Sequence, residues 1–291
     1  MSNAKPFTVL QLAYIKKGDI LTAQLEQRII RALGKADLQA NAKRHACIVG
    51  GPGIGKTYTV NATALKYNVD LVRIQGVASM NAIAIQLAVV AFMRPDEEVY
   101  IWIDDCDNIF MNTESLSVMK GILDEDRNLL AWNKNMTAQI AIFEKSEDKE
   151  DRLKAEALRS FQPVGGVGVE VPTNNMRFII TSNRYLAAPN PPPKTQRKID
   201  ESTIRDRVDY KDYLLNKHEA WGWMASVTLK ADIFGIDNDQ KLILLNWMFD
   251  YWERLASTSM RAIRELAADM VNYPDDYPDQ WDSRLISTMQ K

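Results

Sequence analysis

The chain has 291 residues, 46% of them hydrophobic and 25% charged, with a formal net charge of -2. This composition excludes a disordered, fibrous or membrane-embedded chain, and the near-neutral charge supplies no overall positive field for nucleic acid. A local basic patch is not excluded, and the length allows one sizeable domain with a smaller companion.

The two cysteines, Cys47 and Cys106, lie far apart in or beside apolar runs. This placement fits reduced core thiols better than a disulfide or a metal site, and it predicts a reducing, cytoplasmic compartment. No window approaches the roughly 18 consecutive apolar residues of a membrane span, and the N-terminus lacks the order of a signal peptide. We therefore expect no membrane partner.

A helix precedes the first strand, because apolar residues recur every fourth position from Leu21 to Leu33 and Gly34 follows as a stop. We expect it to pack on a sheet edge or on a neighbouring subunit. Five strand-like runs then recur with helix-length connections: 45–50, 70–75, 99–104, 177–182 and 224–229. Such runs predict an α/β domain with a five-stranded parallel sheet flanked by helices.

The connection between the third and fourth strands is unusually long and contains an insertion at about 130–170. Its Lys- and Glu-rich part, 136–160, is either a solvated helix or an insertion that touches a substrate. The glycine-rich run 164–171 favours a hairpin. The proline-rich run 189–198 predicts an exposed connection.

After about Lys230 the pattern changes to helices without strands. An Asp cap precedes a long apolar stripe, and Met260, Ile263, Ala267 and Met270 then share one helix face. We expect a larger α/β core at 1–229 and a small helical domain at 230–291, which ends in an acidic, aromatic tail.

The run CIVGGPGIGKTYTV carries the chemistry of a P-loop. Gly50, four residues, then Gly55, Lys56 and Thr57 follow an apolar strand and precede a helix-compatible segment, as the motif requires. In such a loop the backbone N–H groups curl around phosphates, the lysine reaches the β and γ phosphates, and the threonine ligates Mg²⁺. The expected nucleotide-binding residues are Gly51, Pro52, Gly53, Ile54, Gly55, Lys56, Thr57 and Tyr58.

Two acids end the buried strand at 99–104. We assign Asp104 to Mg²⁺, because the strand carries its carboxylate to the sheet edge beside the P-loop. We assign Asp105 to the attacking water, because strand alternation turns it to a different face. Asp107 is a reserve candidate for this base, although a turn role is favoured for it, and Asp104 has the alternative of capping the turn.

Polar residues also end the strand at 177–182. Asn183 is the candidate that positions the water or reads the γ-phosphate, because its amide both donates and accepts. The alternative is an ordinary Asx turn.

In this order the elements resemble the AAA+ ATPase family. GGPGIGKT resembles its Walker A motif, IWIDD its Walker B, RFIITSN its sensor 1 strand, STIRDRVDY the box with the arginine finger, and STSMRAIREL the sensor 2 helix of the lid. The lid helix is similar to those of clamp loaders and helicase loaders. The run that ends in EVPTNNMRFIITSN is similar to MoxR-like ATPases.

The resemblance implies a helical lid after the sheet and a homo-oligomeric ring or spiral, with a hexamer as one option, that binds ATP and Mg²⁺ between subunits. It implies that Arg207, with Arg205 as alternate, reaches the neighbour's γ-phosphate, and that Arg261 contacts the phosphates of its own subunit. An arginine fork at the transferring phosphoryl group makes hydrolysis depend on assembly. The alternatives are surface pairs of Arg205 and Arg207 with Asp206 and Asp209, and an i,i+4 pair of Arg261 with Glu265.

The chain departs from the family in having Asp105 where the family usually has glutamate. The carboxylate falls about 1.5 Å short if the backbone is unchanged, and such a misplacement can cost on the order of a hundredfold in rate. The leading function is an Mg²⁺-dependent ATPase that remodels or loads a protein or nucleic-acid complex. The alternatives are an ATP-gated switch with slow hydrolysis and, less favoured, a P-loop kinase for a small molecule.

Overall fold

The computed structural model describes residues 4–36, 43–76, 79–231, 235–252, 254–255 and 259–273. It divides into two compact units. The first unit comprises Met1–Gln27, Gly50–Thr59 and Tyr213–Lys291, and the second comprises Arg28–Val49 and Val60–Asp212.

The strands are β1 (Ala46–Gly50), β2 (Leu71–Gln75), β3 (Val99–Asp104), β4 (Leu129–Trp132), β5 (Val169–Pro172), β6 (Met176–Ser182) and β7 (Asp209–Tyr213). The helices are α1 (Val9–Ala32), α2 (Lys56–Lys66), α3 (Met80–Met93), α4 (Thr113–Ile122), α5 (Thr137–Glu144), α6 (Lys149–Ser160), α7 (Gln196–Arg207), α8 (Lys217–Lys230), α9 (Asn238–Tyr251) and α10 (Met260–Asn272). A 3-10 turn lies at Asp107–Phe110.

Five strands form the main sheet in the order β2-β3-β6-β1-β7. The pairings of β2 with β3, β3 with β6 and β6 with β1 are parallel, and these strands are the four predicted runs from 45 to 182. The central strands are buried, because helices such as α3 and α4 pack their apolar faces against the sheet. The predicted five-stranded parallel sheet with flanking helices is confirmed.

The identity of the fifth strand was predicted wrongly. The run 224–229 lies inside helix α8, where eight consecutive residues from Trp221 to Thr228 are buried. A helix buried on all sides has no polar face, so its sequence shows the same continuous apolar run as a buried strand. The fifth strand is β7, whose residues are mostly half-exposed because it lies at the sheet edge.

The end of helix α1 packs against this edge. Gly34 follows the helix with a φ of +62°, as expected of a helix stop. Arg28 and Arg31 both pair with Asp209, the first residue of β7, at 3.5 and 2.7 Å. Of the two predicted positions for this helix, the sheet edge is the one observed.

The insertion is built as β4-α5-α6-β5. The run 164–171 does not form a hairpin by itself, because Val169–Pro172 pairs antiparallel with Leu129–Trp132 across the insertion. The charged helix α6 is amphipathic, since it buries Ala155, Ala157 and Leu158 while its charged residues are largely exposed.

Helices α8, α9 and α10 form the core of the first unit together with the start of α1. Gly18 and Gly222 allow α1 and α8 to touch, because a Cβ at Gly18 would lie 2.4 Å from the carbonyl oxygen of Gly222. The predicted Asp cap is Asp237, which forms a capping box with Gln240 at the start of α9. On α10, Ile263, Ala267 and Met270 are buried as predicted and Met260 is half-buried.

The proline-rich connection is shorter than predicted, because Thr195 caps α7 at Gln196. The rest of the predicted acidic, aromatic tail lies beyond Tyr273, outside the described residues. In the described parts of the chain, no helix has the length and apolarity needed to cross a bilayer.

Candidate functional site

The candidate phosphate loop belongs to the first unit and leaves strand β1 at Gly50. Gly53 and Gly55 have φ values of +81° and +78°, a region that side-chain-bearing residues avoid. Lys56 begins helix α2, and its buried ammonium donates to the carbonyl oxygens of Gly50 at 2.7 Å and Gly51 at 2.9 Å. The loop therefore has the backbone shape and the charge that phosphate binding requires.

The remaining loop residues have distinct environments. Ile54 is buried and fills the space above Gly50, where a Cβ would lie 2.3 Å from the Ile54 Cδ1. Pro52, Thr57 and Tyr58 are exposed. The Thr57 side chain lies in the first turn of α2, where a metal or phosphate ligand is expected.

The sensor 2-like helix reaches the same loop within the first unit. Ser259 caps α10, and the next backbone N–H, that of Met260, donates to the carbonyl oxygen of Gly53 at 3.4 Å. Arg261 follows directly and is exposed. Among the described residues Arg261 forms no ion pair with Glu265, so the alternative pair is not observed.

Asp104 lies in the second unit at the end of β3, where its carboxylate is buried. One oxygen accepts a hydrogen bond from the Thr181 hydroxyl at 2.5 Å, and the other pairs with the Arg73 guanidinium. The same Thr181 oxygen accepts the indole N–H of Trp102 at 3.1 Å, and Arg73 stacks over that indole at 4.4 Å. The four side chains form a closed ring across β2, β3 and β6, which fixes the direction of the Asp104 carboxylate.

Asp105 and Asn183 meet directly in the second unit. The Asn183 amide donates to the Asp105 carboxylate, and the Asp105 backbone N–H donates to the Thr181 carbonyl at 3.0 Å. Asp105 is exposed with a φ of +56°. The predicted cause of its direction is wrong: β3 ends at Asp104, so a left-handed turn, not strand alternation, separates the two carboxylates.

Asp107 binds the end of β6. Its carboxylate accepts the Ser182 hydroxyl at 2.5 Å and the Asn183 backbone N–H at 3.2 Å. These contacts, at the start of the 3-10 turn, agree with the turn role favoured for Asp107.

The two finger candidates end helix α7, and neither makes the predicted surface pair. Arg207 pairs with Asp124 at 2.6 Å and donates to the Lys120 carbonyl. Arg205 lies over the ring of Tyr210 at 4.2 Å and 3.5 Å from Asp212. Burial raises the pKa of Tyr210 to about 12, so this ring stays a neutral phenol beneath the guanidinium.

Arg73, Thr181 and Trp102 are the members of this ring that the sequence pattern did not indicate as site residues, and Arg73 is the charged one. A lone arginine in the strand LVRIQ is read as a solvent-facing residue. Its partner became visible only with the strand order, which places Arg73 opposite Trp102 and Asp104 opposite Thr181. The available signal was a charged residue inside an otherwise apolar strand.

Comparison with known proteins identifies the family of the chain. Residues 46–207 match the family model AAA, described as the ATPase family associated with various cellular activities. No curated protein matches the chain. The matched range runs from the first residue of β1 to the last of α7 and covers more than half of the chain, which therefore belongs to the AAA family of ATPases.

Proposed function

We propose that the chain binds and hydrolyses ATP with Mg²⁺ and uses the cycle to remodel or load a protein or nucleic-acid complex. The observation that carries the hydrolytic part is the direct contact between Asp105 and Asn183 at the ends of adjacent strands. A carboxylate that removes a proton from water and an amide that orients the water need this proximity. The family match supports the ATPase class.

The residues fit magnesium bound mainly through phosphate and water. Among the described residues no group of three His, Cys, Asp or Glu side chains is arranged to hold a metal. Magnesium in nucleotide sites takes only one or two protein oxygens beside phosphates and waters. We assign these oxygens to the Thr57 hydroxyl and the Asp104 carboxylate.

The bound ion neutralises charge on the phosphates, and the remaining roles fall to the chain. Lys56 turns from the Gly50 and Gly51 carbonyls to the β and γ phosphates, while the loop N–H groups bind the phosphate oxygens. Arg261 adds positive charge from α10 within the same unit. Asp105 takes the proton of the attacking water, and Asn183 holds that water in line.

We propose further that active sites form in a homo-oligomer, a ring or spiral, in which Arg207 reaches the neighbour's γ-phosphate, with Arg205 as alternate. Arg207 is partly exposed at the end of α7, and its pairing with Asp124 must break for this reach. The functional division that we propose is a core at 1–229 and a lid at 230–291, with the cytoplasm as the compartment. The β4–α5–α6–β5 insertion favours a macromolecular substrate over a metabolite.

An ATP-gated switch with slow turnover is the second candidate. Asp105 lacks one methylene relative to glutamate, and its carboxylate is already bonded to Asn183. The shorter side chain holds the carboxylate farther from the attacking water, which slows hydrolysis without weakening nucleotide binding.

Turnover and binding measured on the same variants separate these functions. We expect Lys56→Ala to abolish nucleotide binding and turnover, with the exposed Lys66→Ala on the same helix as the matched control. Asp105→Asn should lower kcat about a hundredfold or more and leave the affinity for a fluorescent ATP analogue within about threefold. Undiminished turnover in Asp105→Asn would exclude Asp105 as the base, and tight binding without turnover in the unmodified chain would favour the switch.

Mixed oligomers test the arginine. Arg207→Ala subunits mixed with Lys56→Ala subunits should recover some activity, because interfaces form that have an intact loop on one side and an intact arginine on the other. Stable mixed oligomers without recovery would contradict the assignment of Arg207 in trans. A measurement of molecular size with an ATP analogue, made with and without single-stranded DNA, shows both whether the chain assembles and whether nucleic acid is a class of partner.

A further inference from the structure

The carboxylate of Glu201 on α7 is buried and accepts from three donors. The Arg184 guanidinium donates to Oε1 at 2.8 Å, the Arg197 side chain to the same oxygen at 3.2 Å, and the Ala187 backbone N–H to Oε2 at 3.1 Å. Only about 6% of the Glu201 side chain is exposed, so its charge is balanced by these contacts rather than by water.

Arg184 depends on this carboxylate. Among the described residues Glu201 is the only acid paired with Arg184, and the Arg184 Nε is buried without a hydrogen-bond partner. The remaining contact of the guanidinium is with the sulfur of Met111. Loss of Glu201 therefore leaves a largely buried cation with no compensating charge.

Arg184 directly follows Asn183, so the two side chains leave the end of β6 toward different partners. Asn183 donates to Asp105, whereas Arg184 reaches α7. On the other side of the segment, Asp107 holds the Ser182 hydroxyl and the Asn183 backbone N–H. The segment 182–184 is thus clamped between a carboxylate of the 3-10 turn and a carboxylate of α7.

We propose that Arg184 and Glu201 are a positioning pair, which aligns Asn183 with Asp105 and ties this alignment to α7. The pair contacts neither the Asp105 carboxylate nor the Asn183 amide, and it acts through the backbone that joins Arg184 to Asn183. The inference rests on the proposed function for its catalytic consequence, and it names the residues that keep the water-orienting amide in place.

Helix α7 gives the pair a second role. The same 12-residue helix carries Glu201 and, in its last turn, Arg205 and Arg207. The pair therefore also joins the Asn183 segment to the helix whose last turn carries the arginines that we assign to the neighbouring subunit.

The test is a double-mutant cycle on turnover with Arg184→Gln, Glu201→Gln and both together. Each single change should lower kcat about 10- to 30-fold and leave the affinity for a fluorescent ATP analogue within about twofold, because the pair orients the reacting groups without holding nucleotide. If the two residues act as one unit, the double variant should lose no more than the worse single variant. Multiplied losses of about 100-fold or more would show independent roles and overturn the pair.

Arg197→Ala is the matched control. Arg197 binds the same Glu201 oxygen but lies one turn before it on α7 and makes no link to the Asn183 segment. We expect kcat and nucleotide affinity within about twofold of the unmodified chain. A loss as large as that of Arg184→Gln would show that Glu201 needs both cations and that its charge balance governs turnover, which contradicts a specific tie to Asn183.

Hydrogen–deuterium exchange tests the positioning without turnover. Glu201→Gln keeps the shape of the side chain and should raise exchange at Ala187 and also at Asn183 and Arg184 by about tenfold, whereas Arg197→Ala should not. Unchanged exchange at Asn183 and Arg184 would overturn the inference even if the enzyme is active. If exchange at Asn183 and Arg184 rises but the chain shows no turnover that depends on Lys56, the positioning role is upheld and the proposed function is refuted. If Glu201→Gln fails to fold, Arg184→Gln, at the less buried member of the pair, gives the same exchange readout at Asn183.

Discussion

The phosphate loop is held in shape by main-chain groups. The acid–amide cluster, which we define as Asp104, Asp105 and Asn183 with the side chains bonded to them, is held in shape by side chains. In the loop the main chain sets the geometry: two glycines have positive φ, and the Lys56 ammonium binds main-chain carbonyls. In the cluster side chains hold side chains, as in the ring of Arg73, Asp104, Thr181 and Trp102.

The difference shows which changes each region tolerates. A main-chain site depends on backbone conformation, so replacing a glycine that has positive φ disturbs it even where there is room for the new side chain. A side-chain site depends on every member of its network, because a buried polar group that loses its partner costs about 1–3 kcal/mol.

Among changes that alter only backbone conformation or a side-chain contact around the site, Gly55→Ala is expected to have the largest effect. A Cβ at Gly55 meets nothing closer than the Trp223 Nε1 at 3.9 Å, so the cost arises from the φ of +78° and not from a clash. Such a conformation costs a non-glycine residue on the order of 1–3 kcal/mol, and the loop relieves it by turning its N–H groups away from the phosphates. We expect about a hundredfold weaker binding of a fluorescent ATP analogue, since each 1.4 kcal/mol is tenfold.

Gly165→Ala is the control for this change. Gly165 has a similar φ of +73° and open space around its Cβ, but it lies in the connection between α6 and β5. It should lose comparable stability and keep its nucleotide affinity. Equal losses of affinity in the two variants would show that the loop has no special dependence on its backbone conformation.

Arg73→Gln tests the cluster. It removes the cation beside the buried Asp104 carboxylate, which should lower the free energy of unfolding by about 2 kcal/mol, less than for a fully buried pair because the Arg73 side chain is 38% exposed. If Asp104 is the magnesium ligand, MgCl₂ should restore part of the loss in thermal or denaturant unfolding, and NaCl at equal ionic strength should not. Arg73→Lys keeps the charge and should lose less.

The parts of the molecule that were predictable are those determined by local pattern. Strand β3 has the predicted bounds, Val99–Asp104, because a strand buried on both faces needs apolar side chains at nearly every position. Helix α8 has the same kind of run, which wrongly predicts a strand. Only its packing against α9 and the start of α1 distinguishes the two.

The site was predictable to the extent that it follows a motif in the chain. Gly53, Gly55 and Lys56 are adjacent in sequence, so their spacing alone indicates the loop. Arg73 and Thr181 join Asp104 from strands 31 and 77 residues away, and these contacts depend on strand order and register. The direction of Asp105 depends on one backbone angle of +56°, which no residue pattern indicates at a non-glycine position.

A smaller effect on stability is expected from a side-chain contact at the opposite edge of the sheet, where strand β1 begins. His45 precedes β1, and its Nδ1 accepts the backbone N–H of Phe178 on β6 at 3.1 Å. The imidazole is fully buried, and this burial, aided by the charges of Arg44 and Arg177, lowers its pKa from 6.5 to about 3. The folded chain therefore keeps His45 neutral at pH values where the unfolded chain takes up a proton.

This difference makes stability depend on pH in a known direction. The contribution of neutral His45 is complete above pH 6.5 and is lost as the pH falls from 6.5 toward 3, because the unfolded state binds the proton first. Between pH 7 and 5.5 we expect a loss of about 1 kcal/mol in the free energy of unfolding from denaturant titrations. His45→Asn keeps an acceptor for Phe178 and should remove this part of the slope, whereas His218→Gln, at the other histidine, should retain it. If the free energy of unfolding falls equally with pH in His45→Asn and in the unmodified chain, groups other than His45 govern the acid sensitivity. The dependence on side-chain contacts would then hold only at the carboxyl ends of the strands, where Asp104 and Asn183 lie.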